Sequence, residues 1–218
     1  MRGLILALVL LAGCHSLGPP PPALRGQLAA EHKGGLRRTG RVAISSSWLS
    51  GEFRTVSVTR LGPDPAVRLQ LFPDFGGKLL DLVARPEGVC AIWSHNGETT
   101  HKREGLIGFL SVSLLENARA LTFDRLCAGR RTKSGFRVEV TPASSKIDLH
   151  LEAELNAEGT LVARHYSLGS VEWKESFEPQ HSFSATAFEW TFHEETAEAM
   201  GAPADDLFEL PACHEEAP

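Results

Sequence analysis

The stretch Ile147-Asp148-Leu149-His150-Leu151-Glu152-Ala153-Glu154-Leu155 places apolar and polar side chains alternately along the chain. Successive side chains of a β-strand point to opposite faces, so this alternation predicts a strand that is buried on one face and solvated on the other. Stretches with the same period recur throughout the chain, and together they predict about ten antiparallel strands. Their apolar positions are Val42 and Ile44, Val56 and Val58, Val67-Leu69-Leu71, Leu80-Leu82-Ala84, Val171-Trp173 and Phe188-Trp190-Phe192.

Turn-forming residues separate these runs. They are Glu52, Gly62-Pro63-Asp64-Pro65, Asn96-Gly97 and Glu158-Gly159. A long antiparallel sheet twists and curls, so we expect one concave face that is rich in Val, Leu, Ile, Phe and Trp.

One interval has a helical period. Between residues 104 and 118, an apolar stripe predicts a single amphipathic helix. Its positions are Leu106, Phe109, Leu110, Ser113 and Leu114. One helix among many strands must cover a face of the sheet or plug a barrel. The predicted fold class is α+β, mainly antiparallel β, with a curled sheet and a helical lid.

The first residues predict a membrane anchor. Arg2 precedes the apolar run 4–11, which is too short to span a bilayer and is typical of a signal peptide. The run ends in Leu11-Ala12-Gly13-Cys14, which resembles the site where bacteria attach lipid to a cysteine and cleave before it. The alternative is an ordinary secretory signal with an incidental cysteine. No Asp follows Cys14, which favours a lipid anchor in the outer membrane with the domain facing the periplasm.

These signals divide the chain into four parts. Residues 1–13 form a signal peptide, and residues 14–39 carry the lipidated Cys14 and a stiff tether with Gly18-Pro19-Pro20-Pro21-Pro22. Residues 40–211 form one domain, and residues 212–218 form a flexible tail. The net charge of −5 argues against a nucleic-acid partner. Cys90, Cys127 and Cys213 remain after Cys14 is used, so we expect one disulfide and one free thiol, or none bonded.

The order of elements resembles the LolA/LolB group of bacterial lipoprotein carriers, and above all LolB, its outer-membrane receptor. The resemblance covers residues 40–118 and rests on four segments that look like the first four strands of the family. They are Gly40-Arg41-Val42-Ala43-Ile44-Ser45, Ser50-Gly51-Glu52-Phe53, Val67-Arg68-Leu69-Gln70-Leu71-Phe72-Pro73-Asp74-Phe75-Gly76-Gly77 and Leu79-Leu80-Asp81-Leu82-Val83-Ala84-Arg85-Pro86-Glu87-Gly88. The C-terminal half looks more like general lipoprotein-sorting and envelope lipid-binding relatives than like LolB.

Members of this group are half-open β-barrels with helical lids that hold lipoprotein acyl chains, and LolB releases those chains into the outer membrane. The resemblance therefore implies a lipid-binding protein whose partners are acyl chains of lipoproteins or other lipids, a periplasmic LolA-like carrier, and the membrane through Cys14. The alternative is a structural or interaction lipoprotein with a filled β-core. We expect the cavity to be lined by Val42, Ile44, Trp48, Leu69, Leu71, Leu80, Leu82, Leu106, Phe109 and Leu110.

The loop after the third of these segments is the second candidate site. Pro73 and the pair Gly76-Gly77 fix a turn that carries Phe75 at its tip, where no core is available to it. The equivalent loop of LolB carries an exposed apolar residue that delivers lipoproteins, so the resemblance implies a membrane-insertion loop with Phe72 and Phe75. The alternative is that both rings fold back onto the sheet.

Motifs of catalysis and metal binding are missing from the sequence. His193-Glu194-Glu195-Thr196-Ala197 begins like a zinc-protease helix but lacks the second His, so it fails on ligand count. A nucleophile elbow and a phosphate-binding loop do not occur. We therefore expect a protein that is not an enzyme and that needs neither a metal nor a cofactor.

Overall fold

In the computed structural model, the described residues form thirteen strands of one antiparallel sheet. The structure describes residues 34–47, 49–94, 98–100, 105–118, 126–140, 149–186 and 188–210. The strands are β1 (Gly34–Ser46), β2 (Ser50–Leu61), β3 (Ala66–Phe72), β4 (Leu80–Arg85), β5 (Gly88–Trp93), β6 (Glu98–Thr100), β7 (Leu126–Arg131), β8 (Gly135–Val140), β9 (His150–Asn156), β10 (Leu161–Leu168), β11 (Val171–Ser176), β12 (His181–Ala185) and β13 (Phe188–Met200).

Two meanders build this sheet, and a long-range pair joins them. The strand order is β6-β5-β4-β3-β2-β1-β13-β12-β11-β10-β9-β8-β7, so each strand follows its sequence neighbour except where β1 meets β13. Those two strands pair from Gly35↔Met200 to Ser46↔Phe188, with a register shift at Thr39/Gly40. Within the described strands, β6 and β7 are the two edges and do not pair with each other, so the sheet is not closed.

The helix α1 (Gly105–Ala118) shows that the sheet curls. Its closest neighbours are strands β2 to β5, yet the Ser113 side chain in its middle reaches Glu175 on β11. Strands β4 and β11 are six positions apart, which in a flat sheet would separate them by about 29 Å. The sheet therefore wraps around the helix. We call the wrapped side the inner face.

The inner face carries the main hydrophobic core. Alternate residues of the strands point into it, as the period-two pattern predicts. The core includes Val42 and Ile44 of β1, Leu71 of β3, Leu80 and Leu82 of β4, Leu151 and Leu155 of β9, Trp173 of β11 and Phe183 of β12. Val112 and Leu115 of α1 pack against the same core.

The opposite side is the outer face, and the end of the chain covers part of it. A 3₁₀ helix, Asp205–Phe208, follows β13 and places Phe208 against Ala66, Val83 and Cys90. Phe208 is 2% exposed and Leu210 is 4% exposed. This C-terminal segment (residues 201–210) thus forms a second, smaller apolar cluster.

Several sequence-based expectations need correction. Glu52 lies inside β2 and does not mark a turn. The last strand continues beyond Phe192 to Met200, so the His193-Glu194-Glu195 motif is in a strand. The helix does not present one apolar stripe, because Ser111, Val112, Ser113 and Leu115 are all buried. Three consecutive buried positions span more than half of the helix circumference. The helix therefore plugs the curl instead of lying over it.

The signal peptide, Cys14, the proline-rich tether and the tail 212–218 lie outside the described residues, as do Trp48, the turn Asn96-Gly97 and Cys213. Cys90 is disulfide-bonded, which excludes the alternative in which no cysteine is bonded. Among the described residues, no helix has the length and hydrophobicity that crossing a membrane requires.

Candidate functional site

A cavity lies between the inner face and one side of α1. Its walls come from β1 to β4, β12, β13 and the helix. Aliphatic and aromatic side chains dominate its lining: Val42, Ile44, Val67, Leu69, Leu71, Leu80, Leu110, Leu114, Phe188, Trp190 and Phe192. An apolar cavity with few polar groups is the type of site that holds hydrocarbon ligands.

The cavity is small in this conformation. Its volume is about 110 Å³, whereas pockets for small molecules usually measure about 300–1,000 Å³. The core beside it is closely packed, since Val112 and Leu115 of α1 fill the space toward β4 and β5. The space under the helix is therefore neither solid nor large, and a long acyl chain needs an outward displacement of α1.

The polarity of the wall changes along the strands. On β1, Val42 and Ile44 line the apolar end, and Arg38 lies two paired positions further along the same face. On β2, the inner face reads Phe53, Thr55, Ser57 and Thr59. A shallower and more polar depression adjoins this end and shares Arg38, His181 and Phe192 with the cavity. The cavity therefore has a polar end on β1 and β2, while β3 stays apolar beside it, because Leu71, Leu69 and Val67 pair with the three polar residues of β2.

Buried polar side chains tie α1 to the strands on the other side of the curl. Glu175 on β11 is fully buried and accepts a hydrogen bond from Ser113 Oγ at 2.6 Å. Tyr166 OH donates to the same oxygen, Oε2, at 3.0 Å. His181 Nε2 lies 2.5 Å from the other oxygen, Oε1. We call Ser113, Tyr166, Glu175 and His181 the Glu175 cluster.

Burial alone raises the pKa of Glu175, but its partners reverse this effect. The hydrogen bond and positive charge of His181, the charge of Arg164 and the hydrogen bond from Ser113 lower the pKa of Glu175 below its ordinary value. Glu175 is therefore ionised at neutral pH. A buried carboxylate that is fully paired holds its neighbours in fixed positions, which makes the Glu175 cluster a defined attachment point for the helix.

The structure places the predicted cavity residues as follows. Val42, Ile44, Leu69, Leu71, Leu80 and Leu110 lie on the cavity wall. Leu82 points to the inner face, but it is 0% exposed inside the core and does not reach the cavity. Trp48 lies outside the described residues, and the side chains of Leu106 and Phe109 are not described either, although both residues belong to α1.

The predicted insertion loop separates into two different positions. Phe75 is 94% exposed, in a bend between β3 and β4 with no fold of the ring back onto the sheet. Phe72 is the last residue of β3 and is half-buried, so it belongs to the strand and not to the loop tip. Asp74 accepts a hydrogen bond from Arg41 at 3.0 Å, which fixes the base of the loop against β1. The exposed ring therefore lies one residue beyond a surface ion pair.

Tyr166, Glu175 and His181 were not singled out from the sequence, and Ser113 was named only as a position of the predicted helical stripe. Glu175 occurs in the strand Val171–Ser176, where Glu172 and Lys174 alternate with Val171 and Trp173. The alternation does assign Glu175 to the same face as Trp173, which was the available signal. Among the described residues, no group of three or more His, Cys, Asp or Glu side chains could hold a metal ion.

Comparison with known proteins identifies the fold. No protein-family model matches the sequence, and no curated protein is significantly similar to it. A DUF1329 family protein from Desulfovibrio piger has a similar structure, with a TM-score of 0.62 and 10% identity over 89% of this chain and 99% of that one.

Two further solved structures share this architecture. A LolA-superfamily protein from Nitrosomonas europaea gives a TM-score of 0.54 at 8% identity, over 87% of this chain and 96% of that one. A domain named for outer membrane lipoprotein sorting, from Vibrio parahaemolyticus, gives 0.52 at 7% identity, over 84% and 92%. The chain therefore has a LolA-like fold, a mainly antiparallel, curled and unclosed sheet with few helices, and the predicted resemblance to the LolA/LolB group is confirmed at the level of the fold.

Proposed function

We propose that this protein is a lipid-anchored envelope lipoprotein that binds acyl chains of lipoproteins or lipids and helps to insert them into the outer membrane. The observation that carries the proposal is the apolar cavity between α1 and the inner face. The LolA-like fold, which this chain shares with proteins named for lipoprotein sorting, supports it. The role requires no catalysis, because a chain moves between sites as long as its free energy falls at each step.

Binding begins with displacement of α1. The helix packs most closely against β2 to β5, and Ser113 holds it to β11 through Glu175. A hydrogen bond to a charged group contributes about 1.5–3 kcal/mol. Displacement of α1 also exposes buried side chains such as Val112 and Leu115, at about 1.5–3 kcal/mol each, so we propose that the entering chain offsets this cost as it moves the helix outward.

The Glu175 cluster makes this opening reversible. When Ser113 leaves, Glu175 keeps its contacts with Tyr166 and His181. The buried carboxylate is therefore not left without partners, and the open state avoids the large cost of an unpaired buried charge. When the cavity empties, the same carboxylate takes Ser113 back.

Release into a membrane uses the loop that carries Phe75. The ring is 94% exposed and its loop is braced by the Arg41–Asp74 ion pair. Burying a phenylalanine ring in lipid contributes about 1.5–3 kcal/mol. Alone this gives a transient contact. Beside a lipid on Cys14 it is sufficient to orient the cavity toward the bilayer, since two weak signals together give stable membrane association.

The remaining parts of the proposal rest on the N-terminal residues and on the resemblance to the LolA/LolB group. Cys14 anchors the protein to the periplasmic side of the outer membrane, and the proline-rich segment that follows it keeps the domain at a distance from the surface. The donor of the acyl chain is a soluble periplasmic carrier of LolA type.

The small volume of the cavity favours a second candidate. At about 110 Å³, the space could be a packing defect in a structural or interaction lipoprotein with an otherwise filled core. The two functions differ in one property: the carrier binds lipid and the structural protein does not.

Native mass spectrometry of the domain without Cys14 separates these functions. We expect a co-purified lipid that is lost in Leu110→Trp, because the larger side chain fills the cavity from the helix side. Leu207→Trp is the matched control, since Leu207 is 38% exposed on the outer face. If the folded protein carries no lipid and takes none up from vesicles, the carrier function is wrong and the structural one remains.

A further inference from the structure

Thr55 is a buried hydroxyl without a hydrogen-bond partner. It is 4% exposed and lines the cavity from β2. Among the described residues, no group lies within hydrogen-bonding distance and angle of its Oγ1. An unpaired hydroxyl in an apolar site costs free energy, and valine would fit the same space without that cost. The position therefore points to a polar group that is supplied from outside the chain.

Two further donors on the cavity wall share this property. Trp190 Nε1 and Arg38 Nε are both buried and neither has a hydrogen-bond partner in the described part of the chain. Arg38 Nε lies 3.2 Å from Glu194 Oε2, an ion pair without an aligned hydrogen bond at that nitrogen. An indole nitrogen can only donate, so the partner that Trp190 lacks is a hydrogen-bond acceptor, whereas Arg38 Nε already faces the Glu194 carboxylate.

The strand register places Arg38 and Thr55 at the polar end of the cavity. Arg38 pairs with Ser57, Gly40 pairs with Thr55, and Val42 pairs with Phe53. Residues two apart on a strand share a face and lie about 6.6 Å apart, so Thr55 lies one step and Arg38 two steps beyond the pair of Val42 and Phe53, while Leu71 on β3 pairs with Thr55 and continues the apolar lining beside it. Trp190, which pairs with Ile44, lies deeper on the neighbouring strand.

We propose that the polar end of the cavity, at Arg38 and Thr55, binds the anionic head group of an amphiphile with one acyl tail, whose tail occupies the apolar end. The unpaired Trp190 indole and Thr55 hydroxyl favour a ligand with hydrogen-bond acceptors, and the Arg38 guanidinium favours negative charge. One tail requires a smaller displacement of α1 than two tails do. This inference rests on the proposed acyl-chain binding and adds the chemistry of the head group. Glu194 is the acidic group that partly neutralises Arg38, and Glu175 is the acidic group in contact with His181.

Competition with a neutral fluorescent probe, N-phenyl-1-naphthylamine, tests this inference on the complete domain. The competitors are palmitate, hexadecyl phosphate and hexadecanol, which have equal tails and different heads. We expect both anions to bind about tenfold more tightly than the alcohol, which is the effect of one charge-assisted hydrogen bond. The difference between palmitate and the phosphate then identifies the preferred anion.

Three variants locate the effect. In Arg38→Gln and Thr55→Val the preference for the anions is lost while the affinity for hexadecanol is unchanged. In Glu194→Gln the anions bind more tightly. Arg54→Gln is the control, because Arg54 neighbours Thr55 in sequence but is exposed on the outer face, and it keeps the wild-type preference.

The outcomes separate the two levels of the proposal. Equal affinity of the wild type for all three competitors, or a preference that persists in both Arg38→Gln and Thr55→Val, overturns the head-group site and leaves acyl-chain binding intact. If neither the probe nor any competitor binds, acyl-chain binding itself fails.

Discussion

The two faces of the sheet each carry an apolar patch that a helical element covers, but the two covers differ in how completely they close. On the outer face, Phe208 is 2% exposed and the C-terminal segment is fixed by polar contacts: Arg68 and Arg85 donate to carbonyl oxygens of Leu207 and Asp205, and Arg60 pairs with the Asp205 side chain. On the inner face, α1 leaves a cavity beside it and unpaired donors on the wall. The outer cover closes completely over its apolar patch, whereas the inner cover leaves a space beside it.

The two covers also differ in the number of polar contacts around them. Beneath the outer cover, Asp81 accepts hydrogen bonds from Arg68 at 2.9 and 2.7 Å and from Gln70 and Lys78, so strands β3 and β4 are linked next to the segment that they hold. Across the cavity, one described side-chain hydrogen bond, from Ser113 to Glu175, attaches α1 to the far strands. The helix α1 is therefore held mainly by apolar packing, through residues such as Val112 and Leu115.

Removal of the outer anchor has the largest expected effect on stability. Phe208→Ala deletes a buried ring and its contact with the Arg60 guanidinium, and we expect a loss of about 3–5 kcal/mol in the free energy of unfolding measured with urea. Leu207→Ala is the control, because Leu207 is exposed, and it changes stability by less than about 0.5 kcal/mol. Similar losses in both variants would show that the segment is not anchored by Phe208.

The next effect is the acid sensitivity of the outer face. Burial raises the pKa of Asp81, but hydrogen bonds from Arg68, Lys78 and Gln70 lower it below its ordinary value of 3.8. A folded-state pKa below the unfolded one adds stability above the unfolded pKa, and that stability is lost as the pH falls through the folded pKa. Asp81→Asn should therefore cost about 3 kcal/mol at pH 7 and progressively less below pH 3.8.

Asp64→Asn is the control for this measurement. Asp64 pairs with Arg60 on the surface with its side chain 73% exposed, so the change should cost less than about 1 kcal/mol at any pH. An Asp81→Asn variant whose deficit does not change between pH 7 and acid would contradict the linkage.

A smaller effect is expected when α1 is loosened. Ser113→Ala removes the hydrogen bond to Glu175 and should cost about 1–2 kcal/mol in stability, while it accelerates lipid-probe uptake up to about tenfold. Ser111→Ala is a close control, because Ser111 is also buried but donates to the Ile107 carbonyl within the helix, at 2.6 Å. Stopped-flow fluorescence gives both rates. Equal uptake in the two variants would mean that Glu175 does not hold the helix shut.

The smallest effect on folding belongs to the loop. Phe75→Glu should leave stability within about 0.5 kcal/mol of the wild type, since the ring is 94% exposed. Co-sedimentation with anionic phospholipid vesicles should fall about tenfold or more, because a ring that enters the bilayer is replaced by a charge. Val171→Glu, at another exposed apolar site, should leave vesicle binding unchanged. Equal losses in both variants would exclude a specific role of the loop.

The alternation of side chains was sufficient to predict the strands and most of their faces. Leu151 and Leu155 point into the core, while His150, Glu152 and Glu154 are on the outer face, as the period requires. The exposure of Phe75 was one of two alternatives, since a turn sequence does not decide whether its ring folds back. The helix was predicted within one residue, but its burial on several sides depends on the curl, which local periodicity does not contain.

The features that could not be predicted from the sequence depend on contacts between residues that are far apart in the chain. The extension of β13 through Glu194–Met200 is exposed and has no apolar period, and it is a strand because β1 pairs with it along its length. The Glu175 cluster joins residues 113 and 175, which meet only after the sheet has wrapped around the helix. The disulfide of Cys90 could not be assigned from counting cysteines, since every pairing of the later three was compatible with the spacing.

The central claim, that the inner face holds an acyl chain and the outer face does not, is tested most directly by photo-crosslinking. Palmitic acid with a diazirine near the end of its tail is bound to the domain, irradiated, and located by peptide mass spectrometry. We predict adducts on the inner cavity wall, at Leu69, Leu71, Leu110 or Trp190, that excess palmitate suppresses. Adducts confined to the C-terminal segment around Leu207 and Phe208, or adducts that excess palmitate does not suppress, would contradict the claim.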